Sequence, residues 1–133
     1  MNKNKEAILN DYLGKDNFNA DDYLVCNACE AEMAVKERII EDLWAFRASF
    51  IRSHMSYKPE PREADKIEEA IEKMQGELCE NAQPIIRSMI KNIDHFIADA
   101  ISADGRGHFL ASYDGEEVEH EYNGETYFIY RLN

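Results

Sequence analysis

Two dipeptides late in the chain, Asp114-Gly115 and Asn123-Gly124, constrain its fold most. Each supplies the positive-φ backbone that a tight hairpin turn requires. Between them the residues alternate, with Glu117, Glu119 and Glu121 on one parity and Val118, His120 and Tyr122 on the other. Gly107 to Tyr113 reads as a strand before the first turn. Val118 to Tyr122 is the middle strand, and Thr126 to Arg131 returns after the second turn. Residues 104–133 are therefore predicted to form a three-stranded antiparallel meander.

Before residue 103 the apolar period is helical. Glu6 to Leu13 suits a short helix stopped by Gly14. Asn17 or Asn19 can cap a second helix that runs to about His54, with Val25, Ala28, Val35, Ile39, Leu43, Phe46 and Phe50 as its stripe. Asn27 is the weakest point of that stripe and a candidate break. Lys58-Pro59-Glu60-Pro61 is a linker, with Pro61 suited to the first position of a third helix. Ala64, Ile67, Ile71, Met74 and Leu78 then form a short heptad seam. Pro84 fits the first turn of a fourth helix, which carries a broad apolar face from Ile86 to Ile101. The expected fold class is α+β, with three to four N-terminal helices followed by a C-terminal three-stranded antiparallel β-meander. A chain of 133 residues suits one domain, 1–133, with a helical part over 1–103 and the meander over 104–133, docked on the fourth helix.

Charge limits the partners. There are 27 acids against 15 bases, a formal net charge of −12, which repels nucleic-acid backbones and anionic membranes. The partner expected is a basic protein surface, with no direct contact to nucleic acid or membrane. No apolar run approaches the ~20 residues that span a bilayer. The segment after Met1-Asn2-Lys3-Asn4-Lys5 is too polar for a signal peptide, so a cytoplasmic location is expected.

The residues that carry chemistry elsewhere lack their usual companions here. Cys26, Cys29 and Cys79 are an odd number, against a disulfide framework. Cys26-Asn27-Ala28-Cys29 is a lone C-x-x-C, short of the four ligands of structural zinc and without the βαβ pattern around a redox pair. On one helix both thiols would serve as small buried hydrophobes. Gly105-Arg106-Gly107-His108 reads as following a helix and preceding a strand, the reverse of a phosphate-cradling loop, so its glycines are read as backbone punctuation. Glu30, Glu32, Glu37, Glu41 and Asp42 lack the Glu-x-x-His pairs of a di-metal site and read as a solvated helix face. No cofactor or metal is implied. His108, Tyr113, His120, Tyr127 and Arg131 could gather on adjacent strands for acid–base cleavage of phosphodiesters, but the glutamates around them would repel such a substrate.

The acidic row itself is the leading functional feature. Alternate strand residues lie ~6.6 Å apart, at ~3.3 Å per residue. A DNA strand presents one negative charge per ~3.4 Å. A protein groove built for nucleic acid would thus accept Glu117, Glu119 and Glu121, extended by Glu116 and Glu125. Asp65, Glu68, Glu69 and Glu72 offer a second row. The tail Gly105-Arg106-Gly107-His108-Phe109-Leu110-Ala111-Ser112-Tyr113-Asp114-Gly115-Glu116-Glu117, closed by Tyr127-Phe128-Ile129-Tyr130-Arg131-Leu132-Asn133, resembles the C-termini of small uncharacterised phage-encoded proteins. The resemblance implies an inhibitor of host defence or of a host nucleic-acid enzyme, of anti-CRISPR or anti-restriction type, acting in the host cytoplasm. It assigns no functional residue.

The sequence thus favours a non-enzymatic acidic binding protein that occupies a basic groove. Two alternatives stay open: a helical accessory or scaffold protein whose acidity serves solubility, and a small nuclease centred on His108, His120 and Arg131. A monomer is expected over a homodimer, because the second helix has enough apolar surface to cover the heptad seam.

Overall fold

The computed structural model describes residues 4–15 and 17–133. The chain forms two compact units, Met1–Arg38 with Ile101–Asn133, and Ile39–Ala100. The class is α+β, as expected: helices together with a three-stranded antiparallel sheet.

In the first unit, α1 (Lys5–Leu13) ends at Gly14, whose φ of 69° and N–H bond to the Asn10 carbonyl form a left-handed cap. Asn19 caps a 3-10 turn at Ala20–Asp22 through its side chain. Strand β1 (Tyr23–Cys26) follows, then α2 (Ala28–Glu41). After α6 (Ile93–Asp104) come a short helix, α7 (Arg106–Leu110), and the hairpin β2 (Val118–Tyr122) and β3 (Glu125–Arg131). The sheet order is β1-β3-β2, with β3 in the centre. One face of the sheet supplies Val25, Tyr127 and Ile129, which pack with Ile8 and Leu9 of α1. Each such aliphatic side chain contributes about 1.5–3 kcal/mol on burial.

The make-up of the sheet differs from the sequence reading. Gly107 to Tyr113 is not a strand. Gly107, Leu110 and Ala111 are the buried positions there, at intervals of three and one, which is a helical spacing. Tyr113 donates its N–H to the Arg131 carbonyl of the sheet at 3.1 Å. The third strand is instead β1, which pairs Tyr23 with Arg131 and Cys26 with Phe128. The second predicted helix therefore begins only at Ala28. The suspected break at Asn27 is real: its Oδ1 accepts the Glu30 N–H at 2.8 Å, and Glu30 Oε1 accepts the Asn27 N–H at 2.9 Å. This reciprocal capping box starts α2 and ends the strand.

The second unit contains α3 (Ala48–Ser53), α4 (Pro61–Leu78), α5 (Gln83–Met89) and the first two-thirds of α6. Pro61 and Pro84 both stand in first turns, as predicted. The expected continuous helix to His54 is interrupted by a 3-10 turn at Leu43–Ala45. Two glutamines hold that turn. Gln75 Nε2 donates to the carbonyls of Trp44 at 2.7 Å and Phe46 at 2.6 Å. Gln83 accepts the Trp44 N–H at 3.0 Å and donates to the Ile40 carbonyl. They replace the backbone bonds that the broken helix forgoes. Gln75→Met should preserve shape but remove the donor shared by two part-buried carbonyls. A loss of about 1–3 kcal/mol in urea unfolding is expected.

The predicted fourth helix is likewise two. At its break Ile90 bridges Met55, and Lys91 N–H bonds the His54 carbonyl at 2.9 Å. Asn92 Oδ1 accepts the His95 N–H at 3.1 Å and caps α6. Along α4 the seam is unevenly covered: Ile71 is buried, Ala64, Ile67 and Met74 are half-buried, and Leu78 is 39% exposed. α3 packs on α4, with Arg52 Nε on Glu68 at 2.9 Å.

Candidate functional site

Strand β2 alternates as its sequence does. Glu119 and Glu121 are exposed, while Val118, His120 and Tyr122 are half-buried. Asn123 and Gly124 take φ of 52° and 79°, which makes the two-residue turn that fixes the register. Val118 pairs with Ile129, Glu119 with Phe128 and Glu121 with Thr126. Glu119 and Glu121 therefore share a face with Phe128, opposite the face packed on α1. Neither has an ion-pair partner among the described residues.

The other three carboxylates of the predicted row are placed differently. Glu117 is held by partners within its own unit: it takes Arg106 Nε at 2.8 Å and the Tyr130 hydroxyl on the same oxygen. Glu125 accepts the Tyr127 hydroxyl at 2.8 Å. By strand parity it lies on the face opposite Glu119 and Glu121. Glu116 is exposed before the strand, its N–H on Asp114 Oδ1 at 3.0 Å. Two alternate strand positions, Glu119 and Glu121, not five residues, form the regular outward row.

Behind that row stands a residue that the sequence reading passed over. Arg106 is 17% exposed at its side chain and bridges Glu117 and Glu32, the latter at 3.2 Å. Its guanidinium lies 4.6 Å from the Phe128 ring centroid, a cation–π contact. The hydrogen bond to Glu117 holds its pKa above the ordinary arginine value. Gly105 (φ 82°) precedes α7, so the glycine-rich turn opens a five-residue helix and not a strand. The signal available in sequence was the parity of Tyr130 and Phe128, which places an aromatic floor under the acidic face.

Cys26 and Cys29 do not share a helix. Cys26 ends β1 and is buried; Cys29 lies in the first turn of α2 and is exposed, as is Cys79. The expectation that both thiols of the C-x-x-C are buried is corrected by the capping box between them. Strand-to-helix placement is that of a redox pair, but burial, reinforced by Glu30, pushes the Cys26 thiol from 9.0 up to about 11. A reactive thiol needs the opposite shift. Burial, then the hydrogen bond to Glu117, also raises the Tyr130 hydroxyl. Both groups stay protonated in the fold at a pH where the unfolded chain has released its protons. Stability present below pH 9.0 is therefore expected to be lost as pH rises towards 11, measured as a falling urea midpoint.

His108, His120 and Arg131 are not gathered. His108 is on α7, exposed, its ring against Phe109. His120 pairs its Nε2 with Asp11 at 2.7 Å and lies edge-on to Tyr12. Arg131 stacks on Tyr113 at 3.9 Å. His120 sits opposite Tyr127, four positions from Arg131 along β3, which is ~13 Å at ~3.3 Å per residue. Among the described residues no group of three or more His, Cys, Asp or Glu is arranged to hold a metal ion. Nor is any helix among them long and apolar enough to cross a membrane.

No family model, curated protein or solved structure matches the chain.

Proposed function

We propose that the chain is a non-enzymatic binding protein that presents the acidic face of β2 to a basic groove on a protein that handles nucleic acid. The observation that carries this reading is the pair Glu119 and Glu121: exposed, in register, on one face, and without an ion-pair partner among the described residues. Ordinary surface acids in a protein of net charge −12 need no common direction. These two are held in one by a strand whose other face is packed. The resemblance of the tail to phage-encoded proteins makes a host nuclease of the CRISPR-effector or restriction class the target proposed.

Capture from a host lysate tests the reading. The wild-type chain should retain a basic nucleic-acid-binding protein that duplex DNA displaces. E119Q/E121Q should bind that protein about fivefold to thirtyfold more weakly, two exposed charge contacts being worth ~0.5–1 kcal/mol each. Unchanged affinity in the double variant, or capture indifferent to DNA, would remove the acidic face from the account. Glu117 is left alone in this test, because its change to glutamine would disturb Arg106 and Tyr130 together.

A further inference from the structure

The backbone of β2 adds a second property to the same residues. On β3 the even-numbered positions turn their peptide groups toward β1, since Leu132 N–H donates to the Asp22 carbonyl at 2.7 Å. The odd-numbered positions turn theirs toward β2, where the Arg131 carbonyl accepts Tyr113. In an antiparallel pair the bonded and unbonded residue pairs alternate. Val118, His120 and Tyr122, opposite Ile129, Tyr127 and Glu125, are thus the bonded residues. Glu119 and Glu121 lie at the unbonded pairs, so their N–H and C=O groups face away from the sheet. No backbone hydrogen bond from either to a group outside the sheet is made among the described residues. On the other edge of the sheet the β1 residues whose backbone turns outward are more withdrawn than Glu119 and Glu121: Val25 is 6% exposed and Tyr23 half-buried.

The two carboxylates that project from β2 therefore belong to the residues with free backbone donors and acceptors. A second copy of the chain adding there as an antiparallel strand would set glutamates against glutamates, which is repulsive. A basic segment is complementary in both respects. Its residues opposite Glu119 and Glu121 would stand ~5.5 Å away at bonded pairs, with side chains on the same face. Given the acidic-face reading on which it rests, we infer that β2 receives an extended segment of the basic partner as an added antiparallel strand, with lysine or arginine at the two alternate positions facing Glu119 and Glu121. Main-chain bonds hold such a segment and the alternating side chains select it. The carboxylates then have two effects: they keep the edge from pairing with itself and they choose a basic strand.

Two synthetic peptides separate backbone pairing from charge. One alternates lysine with threonine. The other has the same sequence but is N-methylated at the amides that would face β2. Binding is read by titration calorimetry, and hydrogen exchange is followed at the Glu119 and Glu121 amides. The alternating peptide is expected to bind at least about tenfold more tightly than its methylated form, from the loss of two or more hydrogen bonds. It should also slow exchange at both amides. Equal binding of the two peptides would overturn strand addition and leave the acidic-face reading standing. Failure of both peptides to bind would overturn the two together.

Discussion

Gly107→Ala is expected to destabilise the protein by about 1–3 kcal/mol, the usual cost of forcing a methyl group into a filled site. A Cβ at this position would stand 2.6 Å from the Gly115 carbonyl oxygen, 2.8 Å from the Glu117 nitrogen and 2.9 Å from the Glu116 carbonyl carbon. All three are backbone atoms, so no side chain can swing aside. Relief requires moving α7 or the segment that leads into β2, and Glu117 is carried on that segment. The variant should therefore loosen the Arg106–Glu117 contact as well as lower stability. Urea unfolding measures the first effect, and the chemical shift of Arg106 Nε measures the second. A variant as stable as the parent would mean that α7 does not lie against residues 115–117.

Removing Arg106 should have an effect of comparable size. Its guanidinium is largely withdrawn from solvent, whereas Glu117 is 31% and Glu32 54% exposed at their side chains. Arg106→Met keeps much of the stem over Phe128 but leaves both carboxylates without their cation. Loss of one partner of a fully buried pair costs about 3–5 kcal/mol. Because solvent reaches both glutamates, about 2 kcal/mol is expected. Arg106→Lys should recover only part of it, since an ammonium cannot keep both carboxylate contacts and the position over the Phe128 ring. Urea midpoints of the two variants check the order. If lysine restored full stability, a point charge alone would suffice.

How far the sequence was legible follows from where local and tertiary signals agree. The β2–β3 hairpin could be read because Asn123-Gly124 fixes the turn and Glu119, His120 and Glu121 alternate with it. Pro61 and Pro84 marked helix starts for a local reason, a fixed φ and a missing N–H. Gly107 to Tyr113 misled because Phe109, Ala111 and Tyr113 share one parity and His108 and Ser112 the other, a strand-like alternation, while its burial, at Gly107, Leu110 and Ala111, follows a helix. Tyr23–Cys26 is only four residues long and merged with the periodic stripe of α2. Its strand character comes from β3, far along the chain, and from a capping box whose Asn27-x-x-Glu30 spacing was available to read. The breaks at Leu43–Ala45 and at Ile90 depend on Gln75, Gln83 and Met55, partners distant in sequence. On the acidic row, parity alone separated Glu119 and Glu121 from Glu125. The internal use of Glu117 required knowing that Arg106 stands beneath it.

The proposed binding depends on where the negative charge lies and not on how much there is. Two charge-swap variants of equal net charge test this directly. E119K/E121K reverses the exposed pair on β2. E69K/E72K reverses two exposed acids on α4. Affinity for the captured basic partner, measured for both at one ionic strength, is predicted to collapse in the β2 variant and to change little in the α4 variant. Equal losses in the two would show that only bulk acidity matters, and would contradict the assignment of the β2 face as the binding surface.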